Sequence, residues 1–200
     1  MIKNIIFDFG DIFINLDKQV VFRALQDNGI QEFLPKYHII NEEFEVGKIS
    51  PQEFVERLQP DFPHLKPQSI IDIWNSMLLD FPEYRLNFLE NLAGENRFRL
   101  FLLSNTNALH IPHVTKVMGT ENYGRFKNAF EQFYLSHEIH LRKPTHEVFQ
   151  FVLEQNNLNP EHTLFIDDTK ENTDAANKLG IKTWNLLVGK EDVVHLKDRL

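Results

Sequence analysis

Three short apolar runs in this 200-residue chain each end in residues able to do chemistry. Ile5-Ile6-Phe7 leads into Asp8-Phe9-Gly10-Asp11. Leu100-Phe101-Leu102-Leu103 leads into Ser104-Asn105-Thr106-Asn107, and Thr163-Leu164-Phe165-Ile166 into Asp167-Asp168. Runs of this length without polar alternation suit strands buried on both faces of a parallel sheet. A fourth run, Lys182 to Leu187, follows Gly180 and extends that sheet. Between the runs the periodicity turns helical. Thr145 to Asn156 carries Val148, Phe149, Val152 and Leu153 at the spacing of a buried stripe. Thr169 to Leu179 carries Ala175, Ala176 and Leu179, with Gly180 placed to terminate the helix. This alternation predicts an α/β fold, a doubly wound parallel sheet whose ligands bind beyond the carboxyl ends of the strands. All three polar clusters fall at such ends.

More than eighty residues separate the first two runs, far beyond an ordinary crossover. Val20, Val21, Ala24 and Leu25 share one helical face, and Ile70, Ile71, Trp74 and Met77-Leu78 another. Ser50-Pro51-Gln52-Glu53 is a capping-box pattern with proline at the first helical position, and Pro60, Pro63 and Pro67 cut the stretch into short pieces. Residues 17–84 therefore read as an inserted helical cap over the strand ends, leaving 1–16 and 85–200 for the α/β core.

Composition excludes several classes of function. There is no cysteine, so disulfides, thiolate metal sites and a cysteine nucleophile are ruled out. Lys and Arg number 21 against 29 Asp and Glu, a net charge of −8, the wrong sign for a duplex nucleic-acid binder. No glycine-rich nucleotide loop occurs. The N-terminal apolar stretch is too short for a signal peptide, and no apolar run approaches the ~18 residues of a membrane span. A cytoplasmic protein, monomer or homodimer, with no membrane partner is expected. His137-Glu138-Ile139-His140 is one residue short of the zincin spacing, so the nine histidines are not read as a zinc site.

Asp8 and Asp167-Asp168 would bring two or three carboxylates to one point of the sheet. Such a cluster raises its own pKa values unless a cation joins it, and Mg²⁺ favours one or two carboxylates with waters and a phosphate. Ser104 and Asn105 offer a hydroxyl and an amide suited to phosphate oxygens. Lys143, in Leu141-Arg142-Lys143-Pro144, brings a point charge to balance carboxylates and phosphoryl group.

Asp8 after its strand, Leu103-Ser104-Asn105-Thr106-Asn107, Arg142-Lys143-Pro144 and Phe165-Ile166-Asp167-Asp168 occur in that order. Together they resemble the four motifs of the haloacid dehalogenase (HAD) superfamily, over essentially the whole chain. Gly47-Lys48-Ile49-Ser50 with Glu53-Phe54, and Tyr134-Leu135-Ser136, are similar to the α-glucose-1-phosphate phosphatase and epoxide-hydrolase phosphatase-domain branch. The resemblance implies a Rossmann-like core and a Mg²⁺-dependent phosphatase acting on a small phosphorylated metabolite, plausibly a sugar phosphate. Asp8 would be the nucleophile forming an aspartyl-phosphate. Ser104, Asn105 and Lys143 would hold the phosphoryl oxygens. Asp8, the Gly10 carbonyl and Asp168 would bind the metal, with Asp167 nearby or acting through water. Most phosphatases of the family carry a second Asp two residues after the nucleophile, where this chain has Gly10. Asp11 comes one residue later and, in an extended segment, points opposite to Asp8; a turn would re-aim it. Gly10 also leaves open a 2-haloacid dehalogenase-type hydrolase, or a catalytically weak phosphate-binding regulatory protein of the same fold.

Overall fold

Every strand of the central sheet runs parallel to its neighbours, in the order β3-β2-β1-β4-β5. A computed structural model describes residues 1–29 and 35–200. In chain order the elements are β1 (Asn4–Phe7), α1 (Val20–Asp27), α2 (Pro35–Glu45), α3 (Pro51–Leu58), α4 (Pro67–Asn75), α5 (Glu83–Gly94) and β2 (Arg99–Ser104). They continue with α6 (His110–Met118), α7 (Thr120–Asn128), β3 (Gln132–Leu135), α8 (Ser136–Ile139), α9 (His146–Gln155), β4 (Thr163–Asp167), α10 (Lys170–Asn177) and β5 (Lys182–Asn185).

The unbroken apolar runs are explained by burial on both sides. Ile6, Phe101, Leu103 and Phe165 face Val148, Phe149 and Val152 of α9 and Ala176 of α10. The alternate residues Ile5, Phe7, Leu100, Leu102, Leu164 and Ile166 face the other way, onto Leu86 and Leu89 of α5, Val114 of α6 and Phe126 of α7. A strand with helices on both faces has no solvent side on which to place polar residues. Among the described residues no helix is long and apolar enough to cross a membrane.

Three local outcomes differ from the sequence reading. The last helix ends at Asn177 rather than Leu179, because residues 178–180 turn tightly through Gly180 (φ 82°) to enter β5. β5 stops at Asn185, and Leu187 beyond it is exposed. The edge strand β3 was not anticipated: Gln132-Phe133-Tyr134-Leu135 is only four residues long and half-exposed, so its apolar pattern is weak.

The segment between β1 and α5 builds its own apolar centre. Leu25, Phe44, Phe54, Leu58, Ile70 and Trp74 pack together, with the Phe44 and Phe54 rings stacked at 4.3 Å. Proline opens α3 and α4 at the first turn, where a missing N–H costs nothing. Ser50 forms the expected capping box: its hydroxyl accepts from Glu53 N–H at 3.2 Å, and the Glu53 carboxylate accepts from Ser50 N–H at 2.8 Å. The chain leaves and re-enters the core side by side. Asn15 N–H donates to Asp80 O (3.0 Å), Asp17 N–H to Met77 O (2.8 Å) and Leu79 N–H to Asn15 O (2.9 Å). A second junction joins the end of α2 to the stretch after α8. Arg142 binds Glu45 and Glu42, each at 3.0 Å, and His140 Nδ1 lies 2.9 Å from the Val46 carbonyl. Gly47 is required there: its φ is 66°, and a Cβ would sit 2.4 Å from the His137 carbonyl oxygen.

Candidate active site

Register brings the strand ends to one level. Phe7 pairs with Leu102 on one side and Ile166 on the other, so Asp8, Ser104 and Asp167 emerge together from the carboxyl edge of the sheet. Asp8 N–H still donates to Ile166 O at 2.9 Å, which extends the ladder to the base of its side chain.

Lys143 joins these ends. Its ammonium donates to Asp8 Oδ1 at 2.6 Å and to Asp167 Oδ2 at 2.7 Å, although the residue is only 1% exposed. A buried lysine needs such partners, since an unpaired charge there costs several kcal/mol. Burial alone would lower its pKa, but the Asp167 and Asp8 carboxylates outweigh that and hold it above the ordinary lysine value. Burial pushes the Asp8 carboxyl up; Lys143 opposes this and Asp167 adds to it.

Asp167 is fully buried, and both its oxygens are occupied. Oδ1 accepts from Thr169 N–H (2.8 Å) and Asn172 (3.1 Å); Oδ2 accepts from Asn172 (3.0 Å) as well as Lys143. Its neighbour Asp168 takes a different partner, the ammonium of Lys18, which also lies 2.9 Å from Asp11 Oδ2. One oxygen from each of Asp8, Asp167 and Asp168 lies within 4.8 Å of the others. An all-carboxylate set of this kind suits a hard divalent cation such as Mg²⁺ rather than zinc. Asp8 and Asp168 are the members whose oxygens are not consumed by a neighbouring amide.

Ser104 is buried, its hydroxyl only weakly engaged by the Asn105 carbonyl at 3.5 Å. The Asn105 amide departs from expectation. Its oxygen accepts from Lys143 N–H (2.9 Å) and its nitrogen donates to Lys143 O (2.8 Å), so the side chain clamps the Lys143 backbone instead of facing a ligand. Ser136 pins the same loop by bonding both the N–H and the carbonyl of Thr106, each at 2.9 Å.

The motif-one loop is a turn, not an extended segment. Asp11 has φ 55°, its N–H donates to Ile14 O at 2.7 Å, and its carboxylate accepts from Leu16 N–H at 3.0 Å. That turn re-aims Asp11 toward Lys18 and thus toward Asp168. A Cβ on Gly10, the residue before it, would meet Leu16 Cδ1, the end of a flexible side chain, at 2.6 Å. Asn172, Lys18 and Ser136 were not singled out as site residues by sequence reasoning; Asn172, in the first turn after a strand-end Asp pair, carried the only local signal.

The haloacid dehalogenase-like hydrolase family matches residues 5–186. The chain belongs to this family. Within it, the chain is 29% identical over 191 residues to the D-ribitol-5-phosphate phosphatase of Bacteroides thetaiotaomicron, covering 92% of this chain and 91% of that one. A HAD family enzyme of the same organism, crystallised as a magnesium complex, is 34% identical and superposes with a TM-score of 0.83 over 98% of each chain. That enzyme was also solved with magnesium and inorganic phosphate. A HAD-like hydrolase from Porphyromonas gingivalis gives a TM-score of 0.80 at 27% identity, covering 100% of this chain and 97% of the other.

Proposed function

We propose that this HAD-family hydrolase is a Mg²⁺-dependent phosphatase that acts on a small phosphorylated metabolite, a sugar or polyol phosphate. The observation that carries this reading is the buried Lys143 ammonium held between Asp8 and Asp167 at the mouth of a three-carboxylate cluster. The likeness to a D-ribitol-5-phosphate phosphatase and to a magnesium-bound enzyme supports it.

In this mechanism an Asp8 carboxylate oxygen attacks phosphorus as the ester oxygen–phosphorus bond breaks. The alcohol leaves with a proton from water, and a second water hydrolyses the aspartyl-phosphate to inorganic phosphate and free Asp8. Lys143 and the Ser104 hydroxyl hold the phosphoryl oxygens. Asn105 acts on Lys143 through its backbone, and Asp167, with Asn172 behind it, fixes the ammonium. Asp8, the Gly10 carbonyl and Asp168 would hold Mg²⁺, with Asp167 beside them. When bound, the ion neutralises phosphate charge and orients the ester for in-line attack. Gly10 supplies no carboxyl for proton transfer, and the Asp11 carboxylate is committed to Leu16 N–H and Lys18. Acid–base help of this kind typically contributes ~10²–10⁴-fold, so turnover of primary-alcohol phosphates is expected to be slower than that of anomeric or acyl phosphates, whose leaving groups need little protonation. Residues 17–84 act as the cap over this floor. The working form is cytoplasmic, a monomer or homodimer.

The test is a panel of anomeric, acyl and primary-alcohol phosphates with Mg²⁺, run on wild type and Asp8→Asn. Phosphate release that vanishes with EDTA and in Asp8→Asn is expected. Full activity in Asp8→Asn would overturn the nucleophile, and turnover of 2-haloacids that survives EDTA would favour a dehalogenase. Binding without release on any ester would make the protein a phosphate-binding module, the alternative that Gly10 leaves open.

A further inference from the structure

Beside Gly10 and Ser104 lies a cavity of about 310 Å³, walled also by Asn105 from the core and by Asn41, Glu45 and Trp74 from the helical insertion. That size is at the small end of metabolite sites. Ser104 belongs both to the catalytic floor and to this cavity, so an ester whose phosphoryl oxygens meet its hydroxyl has the cavity for its remaining atoms.

Apolar Val21, Trp74, Met77 and Leu78 share the insertion's wall with His38, Asn41 and Glu45, its one carboxylate among the described residues. Glu45 is mostly buried; Asn41 donates to its Oε1 at 3.1 Å and Arg142 to its Oε2 at 3.0 Å. Arg142 is shared with Glu42, so one guanidinium serves two carboxylates and the group carries a net negative charge. Lys18, which also borders the cavity, is already divided between Asp11 and Asp168. A hydroxyl both donates and accepts, so it can pair with a carboxylate that other donors already share. A second carboxylate or phosphate on the substrate only accepts, and it would be driven against Glu45.

We propose that Glu45, supported by Asn41, determines specificity by admitting uncharged, hydroxyl-bearing leaving groups and rejecting esters that carry a second anion. This inference rests on the phosphatase reading above and names its substrate class: monophosphates of neutral polyols and sugars. Discrimination comes from leaving a buried charge or polar group unpaired against the wrong ligand, which penalises more than a missing contact does.

The experiment compares kcat/KM for ribitol 5-phosphate, 3-phosphoglycerate and p-nitrophenyl phosphate, with Mg²⁺, in wild type, Glu45→Gln and Asn41→Leu. Wild type is expected to prefer ribitol 5-phosphate over 3-phosphoglycerate by at least about tenfold. Glu45→Gln is expected to shrink that ratio about tenfold, chiefly through a lower KM for 3-phosphoglycerate. Asn41→Leu, at a half-buried position less exposed to folding defects, is expected to raise KM for ribitol 5-phosphate several-fold with kcat held. An equal loss on both substrates would mean Glu45 merely ties the insertion to Arg142, and would overturn the proposal. So would a wild type that prefers 3-phosphoglycerate. If p-nitrophenyl phosphate is hydrolysed but the ratio is unmoved, only this inference fails. If no ester is hydrolysed, the phosphatase reading fails and takes it along.

Discussion

Two lysines in this protein each bridge a pair of aspartates, and they do so in opposite surroundings. Lys143 is 1% exposed and lies between Asp8 and the fully buried Asp167. Lys18 has a side chain 47% exposed and lies between Asp11 and Asp168. The first bridge joins three segments of the core and has been taken out of water; every charge in it depends on the others. The second sits where the chain leaves for the insertion, its lysine half in solvent over two carboxylates that are only 8% and 9% exposed. The difference separates a fixed electrostatic floor from an adjustable entrance.

Removing the buried lysine is expected to have the largest effect. Lys143→Met strands two carboxylates and should cost about 3–5 kcal/mol in urea unfolding, with phosphatase activity lost. Adding Asp167→Asn should recover part of that stability. Strict additivity of the two changes would show that the bridge is not the coupled unit described.

His110 extends the contrast to a buried group that lacks a charged partner. Burial pushes its pKa down to about 4 from the ordinary 6.5. The unfolded chain therefore takes up a proton near pH 6.5 that the folded chain resists until about 4. Stability from this source is complete above pH 6.5 and drains away as pH falls toward 4, by up to about 3 kcal/mol. Urea midpoints at pH 7 and pH 4.5 for wild type and His110→Gln check this; the variant should show the shallower acid decline.

Gly10→Asp probes the floor beside the nucleophile. The new side chain meets Leu16, and overpacking of this kind costs ~1–3 kcal/mol. Thermal melts should show Leu16→Ala relieving much of the penalty. The smallest change belongs to the half-exposed bridge: Lys18→Met should cost on the order of 1 kcal/mol, since water can replace an ammonium that is itself 47% exposed. Because Lys18 occupies Asp168, its loss should also lower the Mg²⁺ concentration for half-maximal activity a few-fold, as a magnesium titration would show.

What could be read from the chain alone divides along similar lines. Asp8, Ser104 and Asp167 stand where buried apolar runs stop, and in a parallel sheet those stops share one edge, so their neighbourhood follows from hydrophobicity alone. Lys143 belongs to no such run, and its place was legible only through the motif it helps to form. The Asn105 amide binds a backbone 38 residues away, a contact no local pattern encodes. The direction of Asp11 stays open in the sequence because a single left-handed residue reverses a side chain without changing composition. Glu45 escaped notice for another reason: α2 shows which of its faces is apolar, but not which core loop its last turn will meet.

The paired connectors at Asn15–Asp17 and Met77–Asp80 have a consequence of their own. A detour that departs and returns through one narrow doorway stands on a closed neck. Whatever is grafted beyond that neck, longer or shorter, leaves the distance between its two feet unchanged. The roof of such a protein can thus be rebuilt for a new guest while the hearth beneath stays lit.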